Sequence, residues 1–310
     1  MKINIIILNY NGEKLLPECL PSIISARKES KNNVSITVID NESTDKSLEV
    51  LKQYALEVKV IKHENRVFCS FNDVVEDLDD DIVILLNNDI KVEPDFVDPL
   101  AEVFQKNPDA FLVGPKALTF DKARYEGTRT KWWVDKGIFK SSSRYPGYES
   151  DIDREGYTAQ AGFGAFDRKK FLELKGYDDL YLPGIIEDAD LCYRAWRRGF
   201  KGYYQPKSLI YHIGRASFRS KFGNFRINKM SHRNTYLFMW KNISDGKILG
   251  QNLIYLVPRI LFALLKGKPE IPLGFISALG RLPQAMRKRA KVQGSFIKSD
   301  KQVLDAFKVI

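Results

Sequence analysis

The first hundred residues alternate between short apolar runs and helical patterns, and this alternation limits the fold more than any other feature. The run Ile3–Leu8 is apolar apart from one Asn, which is typical of a strand buried on both faces. In residues 15–27 the apolar side chains recur on one helical face. Strands alternating with helices predict an α/β fold with a mostly parallel sheet flanked by helices. Ligands of such sheets bind at the carboxyl ends of the strands.

The same alternation continues along the chain with less regularity. Residues 120–157 are aromatic, polar and weakly periodic, which favours a functional loop or lid. From about residue 224 onward the pattern is helical and rich in Lys and Arg. The other predicted elements are strands at 34–39, 58–61, 82–86, 111–113, 202–204 and 209–211, and helices at 46–54, 72–77, 95–105 and 188–198.

Length and composition indicate a globular protein with a sizeable core. The chain has 310 residues, of which 44% are hydrophobic, so one large domain or two packed domains are expected. Its three cysteines form no CxxC pair, which favours neither zinc nor a disulfide framework and fits a reducing compartment. We find no signal-peptide pattern at the N-terminus and no uninterrupted apolar run of about 18 residues. These features predict a protein that is cytoplasmic or attached to the cytoplasmic face of a membrane.

Polar residues follow three predicted strands, namely Asn9, Asp40 and Asp89. Asp40 is placed to bind a nucleobase or a ribose, although a capping Asp is also common in such loops. An acidic residue after a buried strand, such as Asp89, can hold Mg²⁺ or Mn²⁺ against a diphosphate. The alternative for Asp89 is an ordinary turn, because Asn and Asp are turn residues.

Two further segments carry titratable side chains. Glu187, Asp188 and Asp190 cluster where a helix begins. Either the helix dipole stabilises their negative charge and their role is structural, or one of them is a general base. Asp190 and Arg194 are spaced to pair on one helical face, which indicates a structural role. His212 follows a short strand and is either structural or a metal or phosphate partner.

The order and spacing of these motifs over about residues 1–220 resemble the family-two glycosyltransferases of the GT-A fold. The bacterial rhamnosyltransferase-like branch is the most similar. The motifs that carry the resemblance are IIILNYNG at 5–12, VIDNESTD at 38–45, the segment from Glu64-Asn65 to Asn72, NND at 87–89, AGFG at 161–164, GYDD at 176–179 with Glu187-Asp188, and HIGRAS at 212–217.

The resemblance implies an inverting transfer of a sugar from a nucleoside-diphosphate sugar, dTDP-rhamnose or a UDP-sugar. The acceptor would be a hydroxyl of a glycan or lipid-linked glycan in cell-surface polysaccharide synthesis. A divalent cation, Mn²⁺ or Mg²⁺, would be the cofactor. The implied site residues are Asp188 as the catalytic base, Asn9, Tyr10, Asp40, Asn65 and Asn88 for the nucleotide, Gly162 and Glu187 for the acceptor, and Asp89 and His212 for the metal.

Three positions depart from the family pattern. Asn87 stands where many relatives carry Asp, so metal binding is expected to be weak until the diphosphate adds its oxygens. Val67 stands where Gly is usual, which either narrows the donor pocket or gives the loop another path. Arg215 replaces a usual Gly after His212 and is a candidate phosphate contact.

We predict a GT-A domain at 1–223, with a nucleotide-sugar half at 1–100 and an acceptor half at 101–223. A basic helical region follows at 224–310. The segment 253–265 is strongly apolar, but Pro258 and Arg259 interrupt it, so we expect peripheral membrane contact rather than a span. The alternative is a helix packed on the catalytic domain. The basic residues of the region are Lys266, Lys268, Arg281, Arg287, Lys288, Arg289, Lys291 and Lys298.

Rival functions are less consistent with the sequence. The net charge of +10 alone suggests a nucleic-acid-binding protein, but the basic run is confined to one end and no nucleic-acid module is recognisable, so no nucleic-acid partner is expected. An inactive relative that only binds nucleotide sugars conflicts with the intact Asp40, Asp89 and Asp188. A nucleotidyltransferase is disfavoured by the Glu187-Asp188 pair and by the lack of a Gly-rich loop after the first strand.

Overall fold

The computed structural model describes residues 1–213 and 217–308, which form two compact units. The first unit contains residues 1–130, 143–177 and the described residues from 200. The second contains 131–142, 178–199 and the described residues of the C-terminal region. Each unit therefore draws on separate stretches of sequence. The boundaries expected at residues 100 and 223 stay predictions.

A mixed sheet forms the centre of the first unit. Its strands lie in the order β10-β12-β6-β11-β4-β1-β2-β3, with β5 paired to β12 and β7 paired to β6. The strands are β1 (Lys2–Asn9), β2 (Asn33–Asn41), β3 (Lys59–His63), β4 (Ile82–Asn87), β5 (Ile90–Val92), β6 (Ala110–Thr119), β7 (Tyr125–Gly127), β10 (Gly156–Tyr157), β11 (Gly164–Asp167) and β12 (Lys201–His212).

The amino-terminal half of this sheet is parallel, as the sequence predicts. β1 lies between β2 and β4 and is parallel to both, and β2 is parallel to β3. The register pairs Asn9 with Asp40 and Leu8 with Asn87. The polar residues at the carboxyl ends of these strands therefore lie at one edge of the sheet.

The other half contains antiparallel pairs. β11 lies between β4 and β6 and runs antiparallel to both. The two short strands expected at 202–204 and 209–211 are one strand, β12, with an irregularity between Gln205 and Leu209. The irregularity contains Pro206, which has no backbone N–H to donate, so the sequence pattern is interrupted while the strand continues.

Helices pack on the sheet of the first unit and bury its apolar side chains. Ile5, Ile7 and Ile84 are fully buried in a core that also contains Leu20 and Ile23 of the first helix. Such burial stabilises a unit by about 1.5–3 kcal/mol for each large aliphatic side chain. The helices are α1 (Leu16–Glu29), α2 (Ser47–Lys52), α3 (Ser70–Glu76), α4 (Val97–Lys106) and α5 (Arg168–Glu173).

The second unit combines a hairpin with helices. The hairpin strands β8 (Lys131–Asp135) and β9 (Ile138–Ser142) lie within the segment expected to be a loop or lid, so that expectation is only partly right. Trp132 and Phe139 of the hairpin pack against Tyr193, which explains why this aromatic-rich stretch is ordered. The helices are α6 (Glu187–Arg197), α7 (Ser217–Asn242, interrupted at Gly223), α8 (Gly246–Ile254), α9 (Leu256–Leu265), α10 (Glu270–Leu279), α11 (Leu282–Gln293) and α12 (Asp300–Asp305).

Helices α8 and α9 expose an unusual amount of apolar surface. The 20-residue segment Gly246–Leu265 contains an 18-residue window with a mean hydropathy of 1.7, and only 11% of that window is buried. Length and composition alone would let it cross a bilayer, which differs from the sequence expectation. Pro258 lies in the first turn of α9, where proline is tolerated, so it does not break that helix.

Candidate active site

Three side chains meet at the carboxyl edge of the parallel half of the sheet. Asn9 is fully buried, and its Nδ2 donates to Oδ1 of Asp40 at 3.0 Å. Asn88 Nδ2 donates to Oδ1 of Asn9 at 2.8 Å. The second carboxylate oxygen of Asp40 accepts a hydrogen bond from the backbone N–H of Ser43 at 3.2 Å. The expected nucleotide-binding residues Asn9, Asp40 and Asn88 are therefore one hydrogen-bonded group, and Asp40 is only 2% exposed.

Gly12 leaves the space that this group requires. A Cβ atom at position 12 would lie 2.2 Å from Oδ1 of Asn9 and 2.4 Å from Nδ2 of Asn88. Any side chain there would therefore displace both amides. The backbone N–H of Gly12 donates to Oγ of Ser47 at 2.8 Å, which ties the loop after β1 to the start of α2.

Asp89, His212 and Glu126 form a second polar group in the same unit. His212 Nε2 lies 3.4 Å from Oδ2 of Asp89, and its Nδ1 lies 2.8 Å from Oε2 of Glu126. The antiparallel pairing of β5 with β12 places Ile90 opposite His212, which fixes this arrangement. Burial lowers the pKa of His212, but the two carboxylates outweigh burial, so the pKa lies above its ordinary value.

The donor set at Asp89 fits a divalent cation. Oδ1 of Asp89 is buried and accepts no hydrogen bond within the described ranges, although such atoms are usually satisfied in proteins. Carboxylate and imidazole groups both bind Mn²⁺, and carboxylates bind Mg²⁺. In residues 1–213 and 217–308, no three side chains of His, Cys, Asp or Glu already surround a metal position. Asp89 and His212 would need the diphosphate oxygens to complete a coordination shell.

The remaining sequence-predicted residues of the first unit lie in loops. The N–H of Asn65 donates to Glu42 at 3.1 Å, and Oδ1 of Asn65 accepts from the N–H of Val67 at 3.1 Å. Val67 adopts a φ of 53°, a left-handed conformation that is strained for a β-branched residue and that glycine adopts freely. Tyr10 is half-buried, and Gly162 is exposed. Arg215 lies outside the described residues.

Glu187 and Asp188 begin α6 in the second unit. Both are half-buried, and Oε2 of Glu187 is inaccessible to water and accepts no hydrogen bond from any described residue. Burial and the neighbouring Asp188 carboxylate raise the pKa of Glu187 to about 8, against the effect of the backbone N–H groups of Glu187 and Ile185. Oδ1 of Asp188 accepts from the N–H of Ala189 at 2.8 Å.

A buried ionic cluster lies behind the same helix. Lys241 is fully buried, and its Nζ lies 2.6 Å from Oδ2 of Asp178 and 2.8 Å from both carboxylate oxygens of Asp190. Asp190 also accepts from Nε of Arg194 at 2.8 Å, which confirms the predicted structural pair. Burial acts to raise the pKa of Asp190, but Lys241 and Arg194 hold it below its ordinary value. Asp190 therefore joins α6 to α7 and does not act as a base.

Several residues of these groups were not predicted from the sequence. Glu126 lies in a weakly periodic stretch and carries no motif, so only the structure identifies it as a partner of His212. Lys241 lies in a helix rich in basic residues, and the sequence pattern does not show that its side chain is fully buried. The roles expected for Asp40, Asp89 and Asp188 remain predictions, because the geometry alone does not test them.

Comparison with known proteins gives a consistent result. Residues 4–174 match the family described as Glycosyl transferase family 2. The putative glycosyltransferase EpsE of Bacillus subtilis is 27% identical over 214 residues, which cover 67% of this chain and 71% of EpsE. A dolichyl N-acetyl-alpha-D-glucosaminyl phosphate 3-beta-D-2,3-diacetamido-2,3-dideoxy-beta-D-glucuronosyltransferase of Methanococcus voltae is 23% identical over 237 residues, covering 69% of this chain and 68% of that protein.

Solved structures are similar in fold. GalNAc-T7, crystallised with UDP, GalNAc and Mn²⁺, has a TM-score of 0.64 and 18% identity, over 98% of this chain and 56% of that chain. Residues 1–349 of S. aureus TarS give a TM-score of 0.57 and 16% identity, over 99% of this chain and 89% of that chain. Together with the family match, these likenesses confirm the predicted GT-A fold.

Proposed function

The chain belongs to glycosyl transferase family 2, and we propose that it transfers a sugar from a nucleoside-diphosphate sugar to a hydroxyl of a glycan or lipid-linked glycan. Cell-surface polysaccharide synthesis is the proposed setting. The observation that carries the proposal is the buried Oδ1 of Asp89, which accepts no hydrogen bond from the described residues and lies beside His212, in a chain of this family. The hydrogen-bonded group of Asn9, Asp40 and Asn88 supports nucleotide binding in the same unit.

In this proposal the first unit binds the donor. Asn9, Tyr10, Asp40, Asn65 and Asn88 would contact the nucleotide, and Asp89 and His212 would hold Mn²⁺ or Mg²⁺. The cation supplies positive charge against the charge that develops on the departing diphosphate. Asn87 is exposed at the end of β4 and adds no carboxylate, so binding of the cation would depend on the nucleotide.

Asp188 would act as the general base. It takes the proton of the acceptor hydroxyl while that oxygen forms a bond to the anomeric carbon. The bond from the anomeric carbon to the diphosphate breaks on the opposite side, so the configuration inverts. Glu187 and Gly162 would contact the acceptor. The raised pKa of Glu187 would keep it largely protonated at neutral pH, which lets it donate a hydrogen bond to an acceptor oxygen.

The donor has two candidates. A rhamnosyltransferase-like enzyme would use dTDP-rhamnose, which the sequence resemblance favours. A UDP-sugar is favoured by the likeness to GalNAc-T7, whose structure contains UDP, GalNAc and Mn²⁺.

The apolar helices suggest that the enzyme works at the cytoplasmic face of a membrane. Leu253, Val257, Leu261 and Leu265 are each more than half exposed, and Lys266 and Lys268 follow directly. Contiguous apolar surface is rare in proteins that stay in solution. Each basic residue near an anionic membrane contributes about 1 kcal/mol to binding. Flotation with anionic liposomes should carry the wild-type protein upward, whereas a Leu261→Glu, Leu265→Glu variant should remain in the soluble fraction. Wild-type protein that also remains soluble would refute membrane contact.

A thermal-shift screen of nucleotide sugars with Mn²⁺ tests the proposed function. A donor at about 100 times its Kd stabilises the fold by about 2.7 kcal/mol, which raises Tm by several degrees. Asp89→Asn should lose the part of the shift that depends on Mn²⁺. Asp79→Asn is the matched control, because Asp79 is an exposed carboxylate paired only with Lys2 among the contacts described. If no dTDP- or UDP-sugar raises Tm or is consumed, the proposal fails.

A further inference from the structure

The turn before α6 holds two β-branched residues in a rare conformation. Ile185 has a φ of 74° and Ile186 a φ of 77°. A β-branched side chain in this left-handed region is strained, because its Cβ crowds the backbone. Such a turn persists only where surrounding groups hold it, and strain of this kind concentrates at functional sites.

A buried amide on α7 supplies the contacts that hold this turn. Asn234 is fully buried, and its Nδ2 lies within hydrogen-bonding distance of three backbone carbonyls. These are the carbonyls of Tyr181 at 3.1 Å, Gly184 at 2.8 Å and Ile185 at 2.7 Å. Oδ1 of Asn234 accepts from Nε of Arg233 at 2.8 Å, which fixes the orientation of the amide. The turn is thus fastened to α7 through its main chain.

The conformation of this turn determines the positions of the acidic pair, Glu187 and Asp188. The carbonyl of Ile186 accepts the first hydrogen bond of α6, from the N–H of Asp190 at 2.8 Å. Glu187 and Asp188 are the next two residues, so their directions follow from the conformation of Ile186. The backbone N–H of Ile185 also acts to lower the pKa of the Glu187 carboxyl. A change in the turn would therefore move the proposed base and hydrate Glu187.

We propose that Asn234 is a positioning residue that holds Ile185 and Ile186 in the left-handed conformation and so directs Glu187 and Asp188 toward the acceptor hydroxyl. This inference rests on the proposed function. Asn234 does not touch substrate; it acts through the turn.

Asn234→Ala tests the inference. The base would lose its orientation, and displacement of about 1 Å can lower turnover by about 100-fold. We expect kcat to fall by this order while KM for the donor stays at the wild-type value. Asn252→Ala is the matched control, because Asn252 is also buried and donates at 2.7 Å to Gly137, in a left-handed turn that carries no proposed site residue. It should lose thermal stability but keep kcat.

Two further variants separate positioning from general damage. Ile186→Gly in the Asn234→Ala background should recover part of the lost kcat, because glycine adopts the left-handed conformation without a Cβ clash. Asn234→Ser keeps a hydroxyl donor, so its kcat should lie between those of wild type and Asn234→Ala. The serine variant also tests the inference if the alanine variant does not fold.

A readout without catalysis separates failure of this inference from failure of the proposed function. The dependence of Tm on pH between pH 5 and 9 reports the dehydrated Glu187, and Asn234→Ala should weaken that dependence while Asn252→Ala should not. If folded Asn234→Ala keeps the wild-type kcat and the wild-type pH dependence, the inference is overturned. If wild type transfers no sugar, the proposed function fails. The pH dependence of Tm in wild type and Asn234→Ala then still decides whether Asn234 holds the turn.

Discussion

Glu187→Gln should change how the stability of the protein depends on pH. The pKa of Glu187 is raised from 4.5 to about 8 in the folded protein, so the fold binds this proton more tightly than the unfolded chain does. The stabilising effect of the proton is complete below about pH 4.5 and is lost as the pH rises through about 8. The glutamine variant stays neutral throughout and lacks this dependence.

The magnitude follows from the shift. A difference of 8 − 4.5 = 3.5 pKa units corresponds to a ceiling of about 5 kcal/mol, at about 1.4 kcal/mol for each unit. Glu187 is only half-buried and shares its charge interaction with Asp188, so about 2 kcal/mol is a realistic expectation. Between pH 5 and 9, the wild-type free energy of unfolding should therefore fall by about 2 kcal/mol more than that of Glu187→Gln.

Urea unfolding followed by circular dichroism at several pH values measures this difference. Glu49→Gln, which removes an exposed glutamate of α2, is the matched control and should follow the wild-type curve. Parallel curves for wild type and Glu187→Gln would refute the reasoning, because they would mean that Glu187 is hydrated and ionises normally.

Three other predictions follow from the same geometry. Lys241→Met would remove the buried cation that Asp178 and Asp190 share, leaving their remaining partners Lys288 and Arg194, and should cost about 3 kcal/mol in thermal or urea unfolding, so an unchanged Tm would contradict the cluster. Val67→Gly should raise the free energy of unfolding by about 1 kcal/mol, because it removes strain at a φ of 53°; a loss of stability would show that the valine side chain contributes more than the strain costs. EDTA should abolish sugar transfer, and added Mn²⁺ should restore it; full turnover without metal would reject the role of Asp89.

The sequence predicts the parallel half of the sheet well, for a physical reason. β1 and β4 are buried on both faces, so their sequences are nearly continuous apolar runs that end at polar residues, and the carboxyl-terminal part of β2 is buried in the same way. The register of those strands then brings Asn9 beside Asp40, as the position of ligand sites in such sheets predicts.

Elements stabilised by distant contacts were harder to predict. The hairpin β8–β9 depends on aromatic packing with Tyr193 and Phe238, and no local periodicity reports such contacts. Likewise, Asn234 and Glu126 carry no motif, and their importance follows from partners that are distant in sequence. Local pattern therefore identified the strand ends and the acidic pair but not the groups that hold them.

The turnover of Asp188→Asn tests the central claim most directly. With the donor saturating and Mn²⁺ present, release of the nucleoside diphosphate in the presence of acceptor should fall by about 10²–10⁴-fold relative to wild type, as expected for loss of a general base. The donor-dependent thermal shift should be unchanged, because Asp188 is assigned to the acceptor. Wild-type turnover in a folded, donor-binding Asp188→Asn variant would contradict the account.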